Sequence, residues 1–378
     1  MSRVSSFACG LMGIALGSGC LLGAFATNGQ KTDAVSPNRW RVAEPIRYEN
    51  MSVFPVLGSQ AADTTSFATL DEALGAGEAV VMEGGADVMR RSRDGHPVVI
   101  PEQRGASVNQ LVLINRGSKP LILLAGELVS GGKQDRIISK DRIIPAGAQP
   151  LPLDVFCVEQ GRWSSGAQFS GGKLMVHPSV REKAAVDQEQ TKVWEAVRSG
   201  TTSDTALAAP NARARVITPQ MIGGVMAAEA PTAAYQMIYK SPQVARSVEP
   251  LVEEIQKRFA RRAAELKGEL VIGVVVAYGG EVAWSDVFAS RELFDRYWPK
   301  LLRSYAVEAL ARPHMREQAS FDDARGFLQP LTGRESTESD PGVYRLRQVT
   351  QGQYAEIELE ALRPRNIALH WLKIHRTS

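Results

Sequence analysis

The sequence predicts an α+β protein, with a mixed, mainly antiparallel sheet and a few packed helices in one large domain. Strand-like segments crowd both ends of the chain while helical patterns group between them, the arrangement that separates α+β from α/β proteins. The stretch 270–288 reads as a β-hairpin turned at Gly279-Gly280. No fixed-period repeat is present, and the polar stretches are too short to part independent domains. The competing organisation is two lobes meeting near 203–219.

Residues 1–26 stand apart from that domain. Arg3 is the only charge before Lys31, residues 7–26 are apolar and small, and Ala24-Phe25-Ala26 is an A-x-A site, so the segment reads as an export signal cleaved after Ala26. Two other readings stand beside it. Leu16-Gly17-Ser18-Gly19-Cys20 partly resembles a bacterial lipobox, although Gly17 sits where a larger aliphatic residue belongs. Left in place, about 20 apolar residues also suffice to span a bilayer. All three put the domain outside the cytoplasm, periplasmic or secreted, and confine any membrane contact to the N-terminus. Cys9 and Cys20 lie in the leader, so the mature chain keeps Cys157 alone and forms no intramolecular disulfide.

Residues 27–43 are a polar, flexible lead-in, and the domain covers 44–376. Residues 46–57 have strand character, and 66–74 have the cap and spacing of a short helix ended by Gly75 and Gly77. Short strands at 80–82 and 97–100 flank the basic loop 89–95. Residues 121–124 are a continuous apolar run, the pattern of a strand covered on both faces. In 153–159 a period of two aligns Leu153, Val155, Cys157 and Glu159 on one face. The Ser- and Gly-rich stretch 164–173 reads as a mobile loop, and a helix follows from Pro178 or Ser179 to about Ser199. Its apolar face holds Val186, Val193, Trp194 and Val197, with Gln190 among them. Residues 242–266 form an amphipathic helix with Val248, Val252, Ile255 and Phe259 on one side. A second helix spans 291–310, 333–342 is a polar linker, and 343–349, 354–359 and 367–374 are closing strands.

The chemistry concentrates in 111–163, whose apolar segments are expected to fold into one sheet. Between them lie Glu127, Gly131, Gly132, Lys133, Gln134, Asp135, Arg136, Cys157, Glu159, Arg162 and Trp163, the candidate site. Glu159 ends an apolar row, so its carboxylate needs a cation or several donors. Gly131-Gly132 permits two readings: a hairpin turn with a charged edge, or a nest of N–H groups that takes an anion with Lys133 and Arg136. The spacing is not that of a P-loop. Cys157 reads as a core thiol, with a nucleophile as the alternative. Gln190 either bonds a strand edge or faces a pocket, and Trp194 either packs in the core or carries a ligand. His177 has no second ligand at metal spacing, so neither a metal nor a cofactor is expected.

The segments Ala125-Gly126-Glu127, Gly131-Gly132-Lys133-Gln134-Asp135-Arg136 and Cys157-Val158-Glu159-Gln160-Gly161-Arg162-Trp163 resemble the ARG and rhodanese-phosphatase-superfamily-associated protein domain. Gln190-Thr191-Lys192-Val193-Trp194 is similar to the same family's Gln-x-x-Val-Trp segment. So are Gly279-Gly280, Asp286-Val287-Phe288, Trp298-Pro299-Lys300-Leu301-Leu302 and Ala368-Leu369-His370-Trp371. The resemblance implies an α+β domain of uncharacterised activity, named for its company with ADP-ribosylglycohydrolase and phosphatase-like proteins.

Composition bounds the function without fixing it. At 378 residues, 44% hydrophobic and 22% charged, the chain is an ordinary globular one. A net charge of +3 is too small to argue for a nucleic-acid partner. Two functions of different classes follow. One is a site for an anionic small molecule such as a nucleotide sugar or ADP-ribose-like compound, with hydrolysis by Glu127 or Glu159 as general base if it is an enzyme. The other is a non-catalytic structural or interaction module of the cell envelope, in which these near-matched charges pair with one another.

Overall fold

In this computed structural model the described residues are 40–58, 62–84, 109–159, 168–199, 235, 242–266, 269–312, 316–363 and 366–376, with backbone alone at 89–91 and 97–99. The leader, most of the lead-in, the 201–231 stretch, Arg162 and Trp163 lie outside them. The described residues all fall in one compact unit, Asp33–Ser378. Among them no helix is long and apolar enough to cross a membrane.

In chain order come β1 (Arg41–Val42), β2 (Ile46–Tyr48), β3 (Met51–Gly58), β4 (Ala68–Thr69), α1 (Leu70–Gly75) and β5 (Ala79–Glu83). Then follow β6 (Met89–Arg91), β7 (Pro97–Val99), β8 (Gln110–Asn115), β9 (Leu121–Leu123), β10 (Glu127–Gly131), β11 (Arg136–Ile138), β12 (Arg142–Ile144), β13 (Leu151–Cys157) and β14 (Gln168–Met175). The helices α2 (Pro178–Glu182), α3 (Gln190–Ser199) and α4 (Pro242–Glu265) lead to the hairpin β15 (Leu270–Tyr278) and β16 (Glu281–Phe288). Helices α5 (Arg291–Ala311) and α6 (Phe321–Phe327) precede the closing meander β17 (Arg334–Asp340), β18 (Tyr344–Gln351), β19 (Tyr354–Ala361) and β20 (Ile367–His375).

Two β assemblies organise the molecule. A nine-stranded sheet runs β1-β3-β15-β16-β20-β19-β18-β17, with β2 also on β3, and every pairing in it is antiparallel. A closed barrel of six strands runs β10-β11-β13-β8-β5-β14. Closure leaves the barrel no open edge. A small sheet runs β12-β9-β4, with β9 and β12 falling between barrel strands β8 and β13 in sequence and β4 preceding the barrel, and its β4–β9 pair is parallel.

Alternation explains how these layers meet. In β19, Ile357, Leu359 and Ala361 enter the main core, which also takes Val274, Val276, Leu372 and Ile374 from the same sheet and Phe294, Leu301 and Tyr305 from α5. The barrel gives that core its outward residues Leu128, Ile137 and Phe156. Its inward residues Val81, Leu111, Leu113, Val129, Ile138, Leu153, Val155 and Phe169 make a second core. The opposite face of the large sheet packs Phe54, Val275 and Trp371 under Phe327 and Leu328, at the end of α6.

Several sequence expectations need correction. The apolar segments of 111–163 do not share one sheet: β8, β10, β11 and β13 belong to the barrel, while β9 and β12 belong to the small sheet. The second half of the expected loop 164–173 is strand β14, in which a Cβ on Gly171 would lie 2.8 Å from Asp71 Oδ1 and one on Gly172 3.0 Å from the Leu128 carbonyl. The polar linker 333–342 is the edge strand β17, exposed along almost its whole length and therefore without apolar alternation. The single helix expected over 178–199 breaks. A π turn over Lys183–Asp187 follows α2, and Gln188 in the left-handed region (φ 54°) ends it before α3 begins. The lead-in also ends earlier than its polarity suggests, since Val42 is buried, β1 pairs with β3, and Trp40 meets Trp371 edge-on at 4.9 Å.

Candidate functional site

One end of the barrel gathers most of the residues singled out in the sequence. On β11 and β13, Arg136 and Cys157 are opposite one another across the ladder, each the last inward residue of a row that continues Ile138 and Leu153, Val155. Glu83 ends the inward row of β5 in the same way, after Ala79 and Val81. The connection from β10 to β11 closes this end as a hairpin. Its glycines are required by conformation and space: Gly131 has φ 122° and Gly132 φ 53°, and a Cβ on Gly132 would lie 2.2 Å from the Phe169 ring.

The hairpin is not an open nest of donors. Gly131 N–H donates to Asp135 Oδ1 (3.2 Å), Gly132 N–H to the Gln168 carbonyl (2.9 Å) and Lys133 N–H to Glu83 Oε1 (2.7 Å). Asp135 N–H in turn donates to Glu159 Oε2 at 3.1 Å, and the other Glu159 oxygen takes Tyr235 N–H at 3.0 Å. Glu159 is thus a buried backbone cap that holds the hairpin to residue 235.

Arg136 differs from its neighbours. It is 1% exposed, and its Nη1 donates to Gln134 Oε1 (3.2 Å) and the Asp135 carbonyl (3.4 Å). Its Nε–H has no acceptor, and no carboxylate lies within ion-pair distance of it, among the described residues. The Cys157 thiol beside it is fully buried, and burial pushes its pKa up, against the pull of the Arg136 charge. Gln190 does what the strand-edge reading expects: its Oε1 accepts from Cys157 N–H and its Nε2 donates to the Cys157 carbonyl, both at 2.8 Å. Trp194, one turn on, is half-buried, and its indole N–H has no acceptor among the described residues.

Glu127 belongs to a different group. Its carboxylate accepts Leu124 N–H at 2.6 Å and pairs with Lys300 of α5, which also reaches Asp71 at 2.7 Å. Burial pushes the Glu127 carboxyl up, with Lys300 opposing. Burial also works against the Lys300 ammonium, yet Glu127 and Asp71 hold its pKa above the usual range.

A third cluster, between the barrel and the large sheet, was missed in the sequence. Asp286 on β16 accepts Arg181 at 2.8 and 2.9 Å, Trp284 Nε1–H at 2.7 Å, the Tyr305 hydroxyl, and His370 Nε2 at 2.8 Å. On the other side of the ring, His370 Nδ1 meets Asp141 Oδ2 at 2.5 Å, and Asp141 Oδ1 takes Ala125 N–H at 2.8 Å. Arg181 Nε–H closes the circuit on the Ala125 carbonyl at 2.8 Å. All four charged residues are at most 1% exposed. Burial opposes charge on Asp286, yet Arg181 and His370 hold its carboxyl well below the usual range. The signal was present: Asp286, Lys300 and His370 are lone polar residues inside apolar runs that carry the family resemblance.

The fold defines an α+β protein in which a closed six-stranded barrel packs on a nine-stranded antiparallel sheet, with a buried cation at one barrel end. The family described as the ARG and Rhodanese-Phosphatase-superfamily-associated Protein domain matches residues 39–372, and the chain belongs to that family. No curated protein and no solved structure matches it.

Proposed function

We propose that the protein binds an anionic small molecule at the barrel end, with Arg136 as the residue that receives the negative charge. What supports this reading is the contrast among buried cations. Among the described residues Arg181, Lys300 and Arg312 each hold a carboxylate within 3.0 Å, whereas Arg136, like Lys373 on the large sheet, holds none. A guanidinium cannot shed its proton, so burial alone leaves an uncompensated charge that costs several kcal/mol. A phosphate or carboxylate from solution, taken by Nε–H and an Nη–H in parallel, removes that cost.

The reading is of capture rather than turnover. Glu127 is ion-paired with Lys300, and Glu159 accepts two backbone N–H groups that hold the hairpin, so both carboxylates already have structural work. The apolar leader supports an extracytoplasmic setting for this activity. A second reading, a non-catalytic module of the cell envelope, has its own support: the ring of Arg181, Asp286, His370 and Asp141 is closed and fully buried, as a purely structural network requires.

Melting curves with and without inorganic phosphate or ADP-ribose, on wild type and on Arg136→Met, separate the two. The expected result is a rise in the wild-type melting temperature, since a ligand at 100 times its Kd stabilises by about 2.7 kcal/mol. The Met variant should melt no lower than unliganded wild type and should ignore both anions. A wild type indifferent to both, with Arg136→Met strongly destabilised, favours the structural module instead.

A further inference from the structure

Away from the barrel, on the face of the large sheet that α6 covers, a cleft of about 840 Å³ opens between the β15–β16 turn, the end of α6, the β18–β19 turn and the end of β20. We propose that this cleft is a second binding site, for a neutral, hydroxyl-rich ring such as a sugar unit, with Tyr354 as the platform for the ring and Lys373 as a donor at its floor. The volume is that of a small-molecule site.

Tyr354 is 38% exposed, yet it is held in place: its ring stacks on His375 at 4.8 Å and 18°, and meets Phe327 edge-on at 6.1 Å. An exposed aromatic ring fixed in one orientation offers a large apolar contact at little entropic cost, which suits the C–H face of a pyranose. Lys373 is the second independent feature. It is 3% exposed and lines the cleft, yet its ammonium donates only to the Gln329 carbonyl and stands 5.5 Å from the Phe327 ring. No carboxylate lies within ion-pair distance of it among the described residues. An ammonium has three donors, so two remain for a ligand. Burial pushes the Lys373 pKa down, as expected of a cation without a bonded anion.

Charge then selects the ligand. The lining acids already hold partners, Glu281 in Arg312 and His375, Asp322 in Arg325 and Asp323 in the Ser320 N–H and hydroxyl, so what they offer a ligand is spare acceptor lone pairs, while Lys373 disfavours a cation. A hydroxyl satisfies both, accepting from Lys373 and donating to a carboxylate. The amides of Gln351 and Gln353 offer donors and acceptors of the same kind.

The test is calorimetric titration of the full chain with cellobiose, maltose and N,N′-diacetylchitobiose. At least one should bind, with affinity at least ten-fold weaker in Tyr354→Ala. Tyr354→Ala loses the ring contacts with His375 and Phe327 and should melt a few degrees below wild type, still fully folded at the temperature of the titration. Lys373→Met should weaken the same sugar while leaving Tyr354 in place. Absence of binding by all three sugars, or equal binding to Tyr354→Ala, overturns the proposal, and so does competition by inorganic phosphate. The outcome is independent of the anion experiment at Arg136, because ligand and residues differ.

Discussion

His370 can satisfy both of its neighbours in only one protonation state. A neutral imidazole carries one N–H, so with carboxylate oxygens at 2.5 Å from Nδ1 and 2.8 Å from Nε2 one nitrogen lone pair would face an oxygen lone pair. As an imidazolium the ring donates twice, and Arg181 and His370 balance Asp286 and Asp141 in charge. The direction of its pKa agrees: burial opposes the charge, but Asp141 and Asp286 together hold it above the usual range. Proton and nitrogen NMR should therefore find both ring N–H groups of His370 near pH 7, and His370→Phe should cost about 3 to 5 kcal/mol by leaving two buried carboxylates to one Arg. A single ring N–H at that pH would reverse the assignment. At this scale Arg136, Cys157 and Glu159 were legible in the sequence, because charge and glycine cluster there within a few residues. Asp141, Arg181, Asp286 and His370 were not. Asp286 and His370 are single charged residues in apolar runs, Asp141 and Arg181 sit among other charges, their partners lie up to 229 positions away, and periodicity shows a face without showing what the face meets.

Gln190 shows how one side chain can finish an element. The pairing of β8 with β13 ends at Asp154 while β11 continues opposite Cys157 on the other side, and the Gln190 amide meets the Cys157 N–H and carbonyl where β8 has stopped. The Gln190 amide supplies both an acceptor and a donor, standing in for one residue of a neighbouring strand and pinning the start of α3 to the barrel end. Gln190→Ala removes both of these bonds and should cost about 1 to 3 kcal/mol for each group that nothing else reaches, read as the shift in a urea midpoint at unchanged slope. Gln190→Glu should fare no better, because a carboxylate cannot donate to the Cys157 carbonyl. A Gln190→Ala midpoint equal to wild type would show that the clamp contributes nothing. Of the elements that the sequence did reveal, α4 and α5 have one face in a core and so carry a helical period, while β15 and β16, buried on both faces, read as apolar runs about a glycine turn. Those it hid lack either pattern: β17 is exposed along almost its whole length, β14 carries Ser170-Gly171-Gly172 at its centre, and the π turn before α3 shifts the helical phase midway.

The buried ring of charges joins parts of the molecule that local structure does not. Arg181 comes from α2, Asp286 from β16, Tyr305 from α5, His370 from β20, and Asp141 and Ala125 from the connections that flank the small sheet. Its loss should therefore loosen the contact of barrel, helices and sheet as a whole, and pH offers a way to dissolve it without mutation. Asp286 is depressed in the fold, so its contribution is present above an unfolded value of about 3.9 and is lost as pH falls through the folded pKa. His370 is raised, so its contribution is complete below an unfolded value of about 6.5 and is lost as pH rises through the folded pKa. Between those limits, from about pH 4 to 6.5, the ring is worth most. The unfolding free energy should accordingly decline above about pH 6.5, and His370→Phe, less stable throughout, should lack that decline. A neutral His370 in the fold predicts the opposite slope, with stability rising through pH 6.5 as the unfolded chain gives up a proton the fold never held. Urea unfolding at half-unit steps from pH 4 to 9, on both proteins, reads the sign directly, and a rising wild-type curve would remove the imidazolium from the centre of this fold.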